Sequence, residues 1–142
     1  PYMVRYEDEI TMTVKDEQNF LDAAINDPKK VMIAAFISGK LVADIGLYGV
    51  EPFERFRHRA GLGMAIYREF WGLGIGSALL GALIEFAWKA GYEQLELEVI
   101  SDNERAVALY EKFGFEIFGT RKNTLKYRDG HYSGAYLMMK KL

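Results

Sequence analysis

The sequence predicts a mixed α/β protein, with antiparallel strands around one strand–helix–strand unit rather than a doubly wound parallel sheet. Three observations carry this expectation. Two apolar, β-rich runs on either side of Ser38-Gly39 read as a hairpin. Strand-like and helix-like periodicities then alternate from residue 58 to residue 113. Two more strand-like runs close the chain around the turn Arg128-Asp129-Gly130.

Taken in order, residues 1–12 alternate loosely through Val4, Tyr6, Ile10 and Met12 and are expected to run extended. The chain opens on Pro1 rather than Met, so its natural start is expected upstream. Thr13 followed by Asp16 signals a helix start, because each can cap the other's backbone N–H. That helix carries Phe20, Leu21 and Ile25 and stops before Pro28. Val31–Ile37 and Leu41–Tyr48 form the hairpin. Glu51–Arg57, with Phe53 and Phe56, reads either as a solvated connection anchored by aromatics or as a wall of an acceptor pocket. Residues 58–66 read as a strand. Ile75, Leu79, Leu80, Leu83, Ile84 and Ala87 then fall on one buried helical stripe, which predicts a helix over about residues 75–89. Gly91 follows it, where a left-handed cap suits glycine. Gln94–Ile100 alternates as a strand, and Ser101-Asp102-Asn103 can cap a helix that ends at Lys112 and Phe113 before Gly114. Phe115–Lys122 and Tyr132–Lys140 are the closing strands.

Composition narrows the function classes. The 142 residues are expected to form one domain, and with 50% apolar and 14% aromatic residues they can fill a core. The net charge of −2, with acids and bases interspersed, gives no sign of a nucleic-acid or membrane surface. Cysteine is absent, which removes disulfides, thiolate metal sites and a cysteine nucleophile together. His58 and His131 are far apart, so no metal site is expected. No apolar run reaches the ~20 residues that span a bilayer. No signal peptide is visible, so a cytoplasmic location is expected.

The first functional signal is the run Trp71-Gly72-Leu73-Gly74-Ile75-Gly76-Ser77 between a strand and a helix. A glycine loop entering a helix aims free backbone N–H groups at one point, and the helix dipole adds positive potential there, so the point favours an anion such as phosphate. A P-loop needs Gly-Lys-Ser/Thr, but Gly76-Ser77-Ala78 has no lysine. A dinucleotide fingerprint needs glycine where Leu79 stands. The run instead resembles the pyrophosphate loop of the GCN5-related N-acetyltransferases (GNAT), usually written Arg/Gln-x-x-Gly-x-Gly/Ala. Gly74-Ile75-Gly76 matches the glycine pair, and Trp71 replaces the usual Arg or Gln. A second run, Asn103-x-x-Ala106-x-x-Leu109-Tyr110-x-Lys112-x-Gly114-Phe115, resembles the helix that follows the pantetheine-binding strand in the same family. Asn103 and Tyr110 lie two helical turns apart and share a face. Alone, Asn103 reads first as an N-cap and Tyr110 as a core aromatic; together, two elements after the glycine loop, they point to the ligand.

The resemblance covers about residues 31–140. It implies the GNAT fold: a mostly antiparallel sheet with one parallel pair, flanked by helices, and with the family's first strand and helix absent or truncated. It implies acetyl-CoA as cosubstrate, bound by Met64, Ala65 and Ile66 of the strand, by Trp71 to Ser77 (Gly72, Leu73, Gly74, Ile75 and Gly76 between them), and by Asn103, Ala106 and Tyr110. It further implies direct attack of a primary amine on the thioester. Tyr110 would act as general acid, and main-chain N–H at a strand bulge near Met64–Ile66, Ile66 foremost, would bind the oxyanion. Relatives often carry glutamate where Gly61 stands in Ala60-Gly61-Leu62-Gly63, so the base is open among His58, Glu69, Glu98 and Glu51, with Glu98 placed among the catalytic residues. Ser133-Gly134 also replaces a common Val-Asp pair. The missing glutamate keeps a second class in view, an acyl-CoA-binding sensor without catalysis. A third reading is transfer of an acyl group other than acetyl. Glu51 and Glu54 are candidates to attract a cationic acceptor, and a homodimer through edge strands is a further expectation.

Overall fold

The computed structural model describes residues 2–142, apart from the side chains of Phe20, Ala23 and Ala24. Helix α1 covers Val14–Ile25, and strands β1 and β2 cover Val31–Ile37 and Lys40–Gly49. Strand β3 is Arg59–Ile66, helix α2 Ile75–Lys89 and strand β4 Gln94–Ile100. Helix α3 (Glu104–Lys112) and strands β5 (Glu116–Lys126) and β6 (Tyr132–Lys141) complete the chain. The six strands form one sheet in the order β1-β2-β3-β4-β6-β5, and only β3 and β4 run parallel. This is the mixed sheet that the alternation of periods predicts.

Local signals explain most boundaries. At the start of α1, the Thr13 N–H donates to Asp16 Oδ2 at 2.9 Å and the Asp16 N–H donates to Thr13 Oγ1 at 3.2 Å, a reciprocal cap. The expected Phe20 contact lies outside the described residues. Gly91 follows α2 at φ 83° and Gly114 follows α3 at φ 85°, both in the left-handed region where a Cβ is penalised.

Core packing follows the alternation of each strand. Ile45, Leu95 and Met138 are fully buried on the sheet face that receives Leu80 and Leu83 of α2. Burying each such side chain contributes roughly 2 kcal/mol. The residues between them (Asp44, Gly46 and Tyr48 on β2, and Gly61 and Gly63 on β3) therefore occupy the opposite face.

Two expectations change. Residues 2–13 are irregular apart from a 3₁₀ turn at Glu7–Glu9, and Val4, Ile10 and Met12 are exposed. No strand lies beside this segment among the described residues to pair with it. Side chains tether it instead: Arg128 grips Asp8 at 2.6 and 2.7 Å, and the Arg128 N–H donates to the Tyr6 hydroxyl at 3.0 Å. Strand β5 runs to Lys126 rather than stopping at Lys122, with register irregularities between Ile117 and Gly119 and between Arg121 and Leu125. Its charged residues hide the strand pattern, because β5 is an exposed edge and pairing with β6 supplies the order.

Candidate active site

A cleft opens where the two parallel strands part. They pair only at Arg59↔Gln94, Ala60↔Leu95 and Gly61↔Glu96. Beyond Gly61, β3 stays bonded to β2 without a break, from Gly49↔Ala60 to Ala43↔Ile66, while β4 turns to β6 along its whole length. The expected bulge near Met64–Ile66 is absent. The cleft comes from divergence of β4 and not from an extra residue in β3.

That divergence leaves backbone groups free. The Val50 N–H reaches the Arg59 carbonyl at 3.5 Å and the Tyr67 N–H reaches the Val42 carbonyl at 3.0 Å. Odd-numbered peptide groups therefore face β2, and by alternation those of Leu62, Met64 and Ile66 face the cleft. The Ile66 carbonyl is engaged there by the Trp71 indole N–H at 2.9 Å. This leaves the Ile66 N–H directed into the cleft.

The glycine loop stands at the open end of the cleft. Gly72 and Gly74 hold φ of 76° and 80°. Gly74 caps α2 without a side chain, so the first N–H groups of the helix, at Ile75, Gly76 and Ser77, have no intrahelical partner. A Cβ on Gly74 would meet nothing within 4 Å, which leaves the approach clear. Gly76 is there for a different reason. A Cβ on it would lie 3.0 Å from Leu109 and 3.2 Å from Ile66, so glycine lets α2 approach α3 and β3 closely.

Trp71 brings charge to this loop that the sequence reading missed. Arg105 stacks on its ring at 5.5 Å and Arg68 at 5.9 Å. The motif's usual Arg or Gln is gone, but two arginines gather around the indole that replaced it. The available signal was Arg68 three residues before Trp71 in a helical turn, and Arg105 in the first turn of α3.

On α3, the Asn103 side chain accepts the Ala106 N–H at 3.3 Å and serves as the N-cap, and among the described residues its NH₂ has no partner. Ala106 and Leu109 pack on the core cluster, while Leu73 at the loop tip is exposed. Tyr110 is 6% exposed and packs edge-on against Phe115 at 5.6 Å. Among the described residues its hydroxyl has no hydrogen-bond partner, and burial pushes its pKa up to about 12. The phenol thus keeps its proton at any physiological pH.

The base candidates fare differently. Glu98 is paired with Arg121, one guanidinium nitrogen reaching both carboxylate oxygens at 2.6 and 2.8 Å, so a role as base would compete with this ion pair. Glu69 is exposed and paired with Lys40 at 3.0 Å. His58 ends the loop before β3, where its carbonyl accepts from Glu93 and Gln94. Glu51 and Glu54 line an open groove of about 400 Å³ with Phe53, Arg57 and Arg59. This groove mixes signs, and Arg57 already lies 3.5 Å from Glu54. At the position of the missing glutamate, the ring of Tyr48 lies on the Gly61 backbone: a Cβ there would stand 2.7 Å from Tyr48 Cζ. Ser133, on β6, donates to Asp102 at the start of α3. No cluster of metal-ligating side chains occurs among the described residues, and no helix among them is long and apolar enough to cross a membrane.

Comparison with known proteins places this geometry. Residues 2–115 match the acetyltransferase (GNAT) family. The L-amino acid N-acetyltransferase AaaT of Escherichia coli (strain K12) is 36% identical over 110 residues, covering 75% of this chain and 65% of that protein. The chain thus spans just under two thirds of that curated relative. The structure of an acetyltransferase of the GNAT family from Streptococcus pneumoniae superposes with a TM-score of 0.94 at 29% identity, over 100% of this chain and 84% of that one. A GNAT superfamily phosphinothricin acetyltransferase from Sinorhizobium meliloti, in complex with AcCoA, shares the fold at a TM-score of 0.80 and 21% identity, over 92% of this chain and 70% of that one.

Proposed function

This chain belongs to the acetyltransferase (GNAT) family, and from that premise we propose that it moves the acetyl group of acetyl-CoA directly to a primary amine. The observation that carries the reading is the cleft between β3 and β4, open from Gly61 onward, with the free N–H groups of the glycine loop at its mouth.

In this reading the N–H groups of Ile75, Gly76 and Ser77 bind the pyrophosphate, helped by the helix dipole and by Arg68 and Arg105. The pantetheine arm lies along β3 and takes the strand partner that β4 withholds, bonding to the peptide group of Met64. The Asn103 NH₂ is on hand for the same arm. Holding the thioester in one place converts the attack into an oriented, near-unimolecular step, the largest single source of acceleration a binding cleft offers. The neutral amine attacks the carbonyl carbon, and the tetrahedral oxyanion accepts the Ile66 N–H. The C–S bond breaks as the Tyr110 proton passes to sulfur, and the proton shed by the acylated nitrogen returns through water to the Tyr110 phenolate. Its partners are acetyl-CoA and the acceptor amine.

A thermal-shift titration with acetyl-CoA and CoA, followed by thiol release on a panel of primary amines, tests the proposal. A ligand that binds only the folded state raises the melting temperature. The expected result is a shift with both ligands and amine-dependent thiol release. A shift with no release on any amine would support an acyl-CoA sensor instead, the reading favoured by the aromatic ring over Gly61. No shift at all would overturn the assignment of the glycine loop.

A further inference from the structure

The mouth of the cleft carries more positive charge than a pyrophosphate needs. Trp71 is fixed at the end of β3 by its indole N–H, which donates to the Ile66 carbonyl at 2.9 Å. Two guanidinium groups lie over that fixed ring, Arg105 from α3 at 5.5 Å and Arg68 from the turn Arg68–Phe70 at 5.9 Å. Arg105 also rests against the glycine loop itself, since a Cβ on Gly72 would stand 3.4 Å from its Nη1.

These two arginines differ from others in the chain. Arg57, Arg59, Arg121 and Arg128 each hold a carboxylate. Among the described residues, Arg68 and Arg105 hold none and make no hydrogen bond. The acids beside them do not compensate: Glu69 is paired with Lys40 at 3.0 Å, and Asp102 takes the Ser133 hydroxyl. Glu104, next to Arg105 in the first turn of α3, pairs with neither arginine. An indole face attracts a guanidinium and leaves its N–H edge outward, where it can grip a phosphate through two N–H groups at once.

The cosubstrate offers a partner for that edge. The N–H groups of Ile75, Gly76 and Ser77 take the pyrophosphate, and CoA carries one more phosphate, on the 3′ oxygen of its ribose. A phosphomonoester bears a charge of about −1.5 to −2 near pH 7, and it lies on the side of the pyrophosphate away from the pantetheine, outside the cleft.

We infer that Arg68 and Arg105, mounted on Trp71, bind the 3′-phosphate of CoA, so that the protein selects CoA over 3′-dephospho-CoA. This rests on the acetyltransferase reading and adds a specificity that the glycine loop cannot supply. Backbone N–H groups at a helix start meet the same pyrophosphate in both ligands. Any pull of the arginines on the pyrophosphate is also common to both, so the ratio of the two affinities isolates the 3′-phosphate. The departure from the motif then has a physical account. An Arg at position 71 would repel Arg68 and Arg105, whereas an aromatic ring there gathers them.

Calorimetry of CoA and of 3′-dephospho-CoA binding to the wild-type protein tests this without any variant. CoA is expected to bind at least about tenfold more tightly at low salt, and the gap to narrow as sodium chloride screens the exposed charges. Equal affinities would overturn the inference and leave the acetyltransferase reading standing. Binding of neither ligand would remove both. In Arg105→Ala and in Arg68→Ala the ratio is expected to fall to about threefold or less, with a thermal shift by CoA showing that each variant is folded. A ratio that neither substitution moves would overturn the assignment to these arginines.

Discussion

Replacing Tyr110 by Phe separates packing from chemistry. The residue is buried, its hydroxyl has no partner among the described residues but is not fully enclosed, and its pKa is pushed up to about 12 by burial of the ring. Removing it leaves the ring and its edge contact with Phe115 in place. Near pH 7 stability should change by less than about 1 kcal/mol, because removing the hydroxyl breaks no protein hydrogen bond. The alkaline range behaves differently. Between pH 10 and 12 the unfolded chain sheds the tyrosine proton while the fold holds it, so fewer protons are bound unfolded than folded and stability falls as pH rises. Two pKa units at about 1.4 kcal/mol each amount to a loss on the order of 3 kcal/mol. Urea unfolding of wild type and Tyr110→Phe from pH 9 to 11.5 should show the wild type losing about 2 kcal/mol relative to the variant. Parallel curves would refute the buried, protonated phenol. Kinetics complete the test. With the proton donor gone, kcat is expected to fall about 100-fold while acetyl-CoA affinity stays within about threefold. An intact kcat would leave Tyr110 as packing alone. A pKa about 12 also means that no limb of the pH–rate profile between pH 6 and 9 belongs to Tyr110.

Three further outcomes are expected. Gly74→Ala forces a side chain onto φ 80° at a strain of about 1 kcal/mol and projects a methyl into the anion site. CoA affinity should drop tenfold or more by calorimetry, and unchanged affinity would contradict the pyrophosphate assignment. Trp71→Phe removes the indole N–H that holds the Ile66 carbonyl at 2.9 Å. It should cost about 1 kcal/mol in urea unfolding and lower kcat several-fold through a misdirected Ile66 N–H; full kcat would detach the indole from catalysis. Glu98→Gln should leave the acidic limb of the pH–rate profile in place and change stability by less than about 1 kcal/mol, since its partner Arg121 is 57% exposed. A moved limb would return Glu98 to the role of base.

What the sequence determined by itself was local and periodic. The stripe from Ile75 to Ala87 predicted α2, the Thr13–Asp16 pair predicted the start of α1, and glycines after both later helices marked their ends. Those signals act within a few residues of the chain, so a single sequence displays them. The glycine loop was legible for the same reason, since its N–H groups and its φ values belong to consecutive residues. Tertiary structure decided everything that depends on which strands meet. The cleft exists because β4 leaves β3 after one short parallel stretch, and nothing in Gln94–Ile100 announces that departure. Glu98 looked free in the sequence and is clamped by Arg121 from another strand. Trp71 stood in for the motif's Arg or Gln and gathers Arg105 from a different helix. Gly61 looked like a deleted carboxylate, yet its vacancy is filled by Tyr48 from the neighbouring strand. Strand pairing joins residues distant in the chain, and their charges and volumes meet only once the sheet has formed.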